Sequence, residues 1–300
     1  MSTWDRYIKD FVSFLKIEKG LAENSVFAYQ NDVNKLREFC DEKKIAPTAV
    51  SFDHLKEFVA TLYDLGLSAR TQARIISGIK QFFIFLLVED VLSDDPSELL
   101  EMPKIGRKLP EILSIEEIDQ LISAVDMSKT EGHRNRAIIE TLYSCGLRVS
   151  ELVNLRFSDL FFEEGFIRVI GKGNKERLVP VSKSVEKEID LYNTHIRCHQ
   201  NIQSGNENIV FLNRRGAQLT RVMIFTIIKD LSSSIGLKKS ISPHTFRHSF
   251  ATHMIEGGAN LRAVQDMLGH ESITTTEIYT HLDQRFLRDA IISFHPRNKV

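Results

Sequence analysis

Apolar residues return at helical spacing through the first hundred positions. Trp4, Ile8, Phe11 and Leu15 form one series, and Val26, Tyr29, Val33 and Leu36 a second. Leu55, Phe58, Val59 and Leu62 share one face of a third. A fourth starts near Ser68, a candidate N-cap, and runs through Ile75, Ile79, Phe82, Phe83 and Leu86 until Asp94-Asp95-Pro96 closes it off. The spacing predicts four amphipathic helices with short connections, a small bundle over residues 1–101 with a phenylalanine-rich core.

Residues 102–112 have no such period and carry Pro103 and Pro110, so they read as a semi-extended linker. Ser114-Ile115-Glu116-Glu117 then matches a capping box, with Leu113 as its staple residue, and opens a second domain over 113–300. Helical patterns there cover about 115–126, 133–144, 150–156, 184–199, 220–234, 243–256 and 260–268. Phe166-Ile167-Arg168-Val169-Ile170 and Leu178-Val179-Pro180-Val181 read as strands of a hairpin joined by the Gly- and Asn-rich segment 171–177. Ile209-Val210-Phe211-Leu212 is the candidate third strand, and Pro180 suits a strand end or an edge. The fold class expected is mainly α, α+β overall: a helical unit followed by a mostly helical unit with a small antiparallel sheet.

A chain of 300 residues fits two domains, and 42% hydrophobic with 26% charged residues is globular composition. Cys40, Cys145 and Cys198 are too few and too scattered for a disulfide framework or a zinc knuckle. No run approaches the roughly 20 consecutive apolar residues of a membrane span, and the start of the chain is not a signal peptide. A soluble, reducing, cytoplasmic setting is the expectation. The formal net charge of −1 argues at first against a nucleic-acid partner. Its distribution says otherwise. Residues 1–105 hold 13 Lys and Arg against 17 Asp and Glu, leaving 26 against 23 in the remainder. No acid lies between Asp64 and Glu89, where Arg70, Arg74 and Lys80 fall, and between Glu207 and Glu256 the only acid is Asp230. Such stripes support a local positive field on a neutral molecule; a solvated helix face is the plainer alternative.

The chemistry concentrates in Ser242-Pro243-His244-Thr245-Phe246-Arg247-His248. Ser then Pro is a helix start, and His244 and Arg247, three apart, share a face at its anion-attracting N-terminus. Phe246, Phe250 and Met254 mark the buried face. His244 and His248 stand at a zinc-ligand spacing, but Thr245 occupies the place of the zincin glutamate and Arg247 lies between them, so metal is the weaker account. Upstream, Gly146 reads as a helix stop, Arg148 as a turn arginine and Ser150 as the next cap. Arg148 alone could equally satisfy helix C-terminal carbonyls. Lys172 lies in the hairpin loop, where a solvated lysine is the alternative. Leu268-Gly269-His270 ends a helix, and Tyr279, one of six tyrosines, follows nine residues later. Cys145 has no His/Asn partner pattern and reads as packing.

Together, Gly146-Leu147-Arg148, Gly171-Lys172-Gly173, His244-Thr245-Phe246-Arg247-His248, Leu268-Gly269-His270 and Tyr279 resemble the tyrosine site-specific recombinase (phage-integrase) family, in spacing and length the bacterial Xer type. Leu67-Ser68-Ala69-Arg70-Thr71 through Phe85-Leu86 is similar to its SAM-like core-binding domain. The resemblance implies six catalytic residues: Arg148, Lys172, His244, Arg247, His270 and the nucleophile Tyr279. On its terms the arginines and histidines stabilise charge on a phosphodiester, Tyr279 forms a 3′-phosphotyrosyl link, and Lys172 protonates the leaving 5′-oxygen, with Lys175 or Arg177 as stand-ins. No metal, cofactor or ATP is implied. Glu151 and His248 take supporting places that orient the arginines and histidines. Arg70, Thr71, Arg74, Lys175, Arg177 and Arg221 are the candidate DNA contacts, the two domains clamping a duplex at short inverted repeats. The family further implies chromosome or plasmid dimer resolution during cell division, a homo- or hetero-tetramer with a paralogous, XerC-like recombinase, a division-linked DNA translocase as activator, and a nucleoid location. Its apolar tail, about 286–300, docks on a neighbouring protomer on this reading, whereas the residues alone allow docking on its own core. A mobile-element integrase or invertase is the alternative within the chemistry, and a silent DNA-binding protein the alternative outside it.

Overall fold

A computed structural model describes residues 3–106, 111–171, 175–269 and 281–298, the side chains of 281–285 excepted. The chain divides into two compact units at residues 108/109. In the first, α1 (Thr3–Ile17), α2 (Glu23–Glu42), α3 (Phe52–Asp64) and α4 (Ala69–Val88) form the expected four helices. Ser68 caps α4 by accepting the Thr71 N–H at 3.2 Å. The core is aromatic: Phe82 stacks on Trp4 at 5.8 Å and meets Phe11 edge-on at 5.4 Å. Ring contacts of this kind add to what the buried area of the bundle supplies.

Among the described helices α4 is long and apolar enough to cross a membrane, despite its cations, although half of its most apolar stretch is buried inside the protein. It is the core helix of the bundle, which is why apolar residues occupy more than one of its faces.

The second unit contains α5 (Ile115–Ser123), α6 (Gly132–Ser144) and α7 (Val149–Val153). The sheet β1 (Leu160–Phe161), β2 (Phe166–Ile170) and β3 (Glu176–Pro180) follows. Then come α8 (Lys183–His195), α9 (Arg221–Ser234), α10 (Pro243–Glu256), α11 (Leu261–Leu268) and α12 (His281–Phe294). The capping box of α5 is present in both directions, with Glu117 N–H to Ser114 Oγ at 3.2 Å and Ser114 N–H to Glu117 Oε2 at 2.7 Å. Helix α8 stops at His195, four residues short of expectation, and a 3-10 turn follows whose Arg197 donates to the carbonyls of Glu207 and Ile209.

The sheet is antiparallel with order β1-β2-β3, so β3 is an edge and Pro180 its last residue, paired with Phe166. The third strand is β1, not residues 209–212. That run is buried but makes only isolated bridges to Arg156 and Gln218, its amides answered by Leu155 O and Tyr192 Oη. Burial, not pairing, is what its apolar character records. β3 also begins earlier than Leu178, at Glu176, and its alternation turns Arg177 and Val179 to the buried side.

Helix α12 seats the tail on the single chain's own core: Leu287, Ala290 and Ile291 are at most 5% exposed. Beyond it His295 is fully buried between Tyr143 and Phe250, at ring distances of 5.0 and 5.5 Å. Arg297 pairs with Asp119 at 2.6 Å and lies 3.3 Å from Glu140.

Candidate active site

The site is assembled at the ends of short helices. α6 stops at Gly146, whose φ of +57° is the left-handed conformation that favours glycine. A side chain is also excluded there, because a Cβ would stand 2.6 Å from a Phe250 ring carbon. Arg148 then heads α7, its backbone N–H donating to Glu151 Oε2 and its Nη1 to Glu151 Oε1, both at 2.8 Å. Glu151 sits at the third helical position, so one carboxylate caps α7 and aims the arginine beside it.

Helix α10 opens with Pro243 as expected, and Ser242 N–H donates to Thr245 Oγ1 at 3.1 Å. His244 is exposed in its first turn, while Phe246, Phe250 and Met254 are fully buried. Arg247 lies beneath, with Nη1 on Gly146 O at 2.8 Å and Nη2 on Leu268 O. It therefore ties the end of α6 to the end of α11. Arg148 reaches the same turn, its Nη2 on Gly269 O at 3.4 Å. The two arginines expected to face a phosphate are thus neighbours, one a third exposed and the other deeper.

Arg177 joins them and corrects its assignment as a DNA contact. Its side chain is 6% exposed, forks onto both Glu151 oxygens at 2.8 Å, and places Nε on Met267 O at 2.8 Å. Bonded inward on every side, it is equally unsuited to stand in for Lys172 as a proton donor. The signal for this was the period-2 alternation of β3 carried one residue pair back from Val179.

Burial alone would raise the Glu151 carboxyl, but the Arg177 and Arg148 contacts outweigh it and hold the group below the usual carboxylate range. Burial, reinforced by Arg148, lowers Arg247 to about 10, which leaves it charged at neutral pH. The fully buried Cys145 thiol is pushed up by desolvation and stays protonated, as a packing residue.

Lys172, His270 and Tyr279 lie outside the described residues. Of the remaining candidates, Arg70, Lys175 and Arg221 are exposed, Arg70 in the first turn of α4 and Arg221 as the first residue of α9. Thr71 is half-buried, its hydroxyl 2.9 Å from the Ser68 cap. Arg74 keeps about half its side chain exposed while pairing with the buried Asp32 of α2. Burial pushes that carboxyl up in spite of Arg74. Among the described residues no three His, Cys, Asp or Glu side chains group as metal ligands.

Residues 111–285 match the phage integrase family, and residues 8–90 match its N-terminal SAM-like domain. The chain is 42% identical over 291 residues to the tyrosine recombinase XerD of Staphylococcus haemolyticus (strain JCSC1435), covering 97% of this chain and 98% of that one. It is 43% identical over 292 residues to XerD of Oceanobacillus iheyensis (strain DSM 14371 / CIP 107618 / JCM 11309 / KCTC 3954 / HTE831), covering 97% and 98%. Among solved structures it is similar to XerA recombinase, with 28% identity, a TM-score of 0.50 and coverage of 95% and 96%. It shares the fold of XerH recombinase bound to its palindromic difH substrate, at 23% identity, a TM-score of 0.70 and coverage of 95% and 94%.

Proposed function

The chain belongs to the phage integrase family, as a XerD-like tyrosine recombinase that cleaves and rejoins DNA, and from that premise we propose that Tyr279 is its nucleophile in dimer resolution. The observation that carries the chemistry is the pair Arg148 and Arg247, held side by side against one buried carboxylate with His244 exposed nearby in sequence. A phosphodiester under attack gathers charge on its non-bridging oxygens, and positioned guanidinium forks stabilise that charge. The Tyr279 oxygen attacks phosphorus, a 3′-phosphotyrosyl bond forms, and the bond to the 5′-oxygen breaks. Lys172 gives that oxygen its proton, and His244 and His270 add hydrogen bonds and take up the phenolic proton that Tyr279 loses. The covalent link conserves the bond energy, so rejoining requires neither ATP nor metal.

In this reading the substrate is a short inverted-repeat site on a chromosome or plasmid, cut during cell division in the cytoplasm at the nucleoid. Four protomers, alike or paired with a XerC-like paralogue, assemble on it, and a division-linked translocase activates them. The tail at about 286–300 then passes to a neighbouring protomer, leaving the seat it holds in the single chain. Arg70, Thr71, Arg74, Lys175 and Arg221 contact the duplex.

The test is a nicked duplex carrying the inverted-repeat site found near the replication terminus of the source chromosome, incubated in EDTA. A covalent protein–DNA adduct is expected, and Tyr279→Phe abolishes it. An adduct that survives Tyr279→Phe removes the nucleophile assignment, and one lost only in EDTA restores the metal account.

A further inference from the structure

The last turn of α11 leaves carbonyls without helical partners, and three consecutive ones are each taken by a different arginine. Met267 O accepts from Arg177, Leu268 O from Arg247 and Gly269 O from Arg148. The same three arginines close on Glu151, two of them in direct bonds and Arg247 at 3.9 Å. They come from β3, α10 and the head of α7, elements far apart in sequence.

Arg177 is the most enclosed of the three and the only one to fork onto both Glu151 oxygens. Its contacts also shape the turn itself. Gly269 is left-handed at φ +63°, and a Cβ there would stand 3.0 Å from Arg177 Cδ. Without Arg177, Glu151 loses its main partner. Its oxygens then turn fully to Arg148 and Arg247, the cations a phosphate needs, and compete with that phosphate for them.

We propose that Arg177 is a positioning residue for strand cleavage. It saturates Glu151 and pins the end of α11, so that Arg148 and Arg247 meet the scissile phosphate in one fixed geometry. A forked, planar group is required, since an ammonium cannot bridge two carboxylate oxygens and a carbonyl in this arrangement.

This rests on the recombinase reading above, and the two fail differently. Wild-type protein on the nicked duplex is the reference: no adduct there refutes the recombinase reading, whereas the inference is judged only on the variants. Arg177→Met is expected to slow single-turnover adduct formation about 100-fold, the scale of a small misplacement in a preorganised site. Duplex affinity and its salt slope should match wild type, because the buried side chain touches no DNA. Arg177→Lys keeps the charge and should recover only part of the rate; it carries the same comparison if Arg177→Met fails to fold. Combined with Glu151→Gln, either variant should be within about threefold of the slower single variant, since both act through one contact. Losses that multiply would mean Arg177 acts independently of Glu151 and overturn the proposal. So would a wild-type rate in Arg177→Lys, or a reduced salt slope, which would return Arg177 to the DNA contacts.

Discussion

Gly146 decides where Arg148 and Arg247, the two arginines proposed to face the phosphate, meet. Its left-handed turn swings the chain from α6 into Arg148, its missing side chain makes room for Phe250, and its carbonyl accepts from Arg247. Gly146→Ala should therefore cost both strain and overpacking, together at least about 2 kcal/mol of stability. The denaturant midpoint and the adduct yield should fall together; a variant with full stability and full yield would show the turn to be dispensable. Residues with a signal of their own were readable in the chain: Gly146 as a stop, Pro243 as a start, and His244 and Arg247 by their spacing at a helix head. Arg177 was not, because its meaning depends on which way β3 faces and on a carboxylate 26 residues away. A charge reads as exposed until its partner is known. In sequence Glu151 reads as a support for the arginines and histidines; that it meets three arginines is a property of the folded chain.

Whole elements carry a second kind of information in their first turns. α1, α2, α3, α5, α7 and α8 each place an acid there, the ordinary match to the positive end of the helix dipole. α4, α6, α9, α10 and α11 do not, and instead carry Arg70, Arg134, Arg221, His244 and Arg262 there. A cation at that end opposes the dipole, so the exposed Arg70 and Arg221 suit an anion supplied from outside, whereas Arg134 bonds inward to Leu212 O and Arg262 pairs with Asp266. On α4 the two arginines separate by environment. Arg70→Ala should leave stability unchanged and lower the salt slope of duplex binding by about one. Arg74→Ala should also destabilise the bundle, by roughly 1–2 kcal/mol after allowance for its half-exposed side chain, because it strands the buried Asp32. A salt titration and a thermal melt on each variant check both; equal slopes would make this face merely solvated. Helices were legible because caps and periodicity are local. The short run 209–212 and the tail helix α12 were not, since one is an apolar segment without a ladder and the other follows its packing partner.

At the scale of the molecule, two cores answer to pH through different groups. In the second unit His295 is buried against Tyr143 and Phe250, with His253 and Arg297 the other titratable neighbours, and burial first, then Arg297, lowers it to about 3. His253, bonded to the Tyr143 hydroxyl at 2.9 Å, is lowered as well, again chiefly by burial. A histidine depressed on folding binds its proton more readily when unfolded, so stability is complete above about pH 6.5 and drains as pH falls towards 3. His295 alone should remove about 2 kcal/mol between pH 7 and pH 5, a shift of roughly 4–8 °C for a unit of this size. In the first unit the raised Asp32 carboxyl works the other way, its folded form gaining on acidification. Calorimetry at the two pH values should show the second unit's transition falling, and His295→Leu should flatten that fall; an unchanged slope would detach it from His295. The ladder of Met267, Leu268 and Gly269 carbonyls has a consequence for how such a site can change over time. Adding or deleting one residue in the last turn of α11 would hand every carbonyl to the wrong arginine at once, a failure no single substitution repairs. The length of that helix is therefore inherited as a unit with its three cations, and a transplanted or redesigned site must carry the whole register across or none of it.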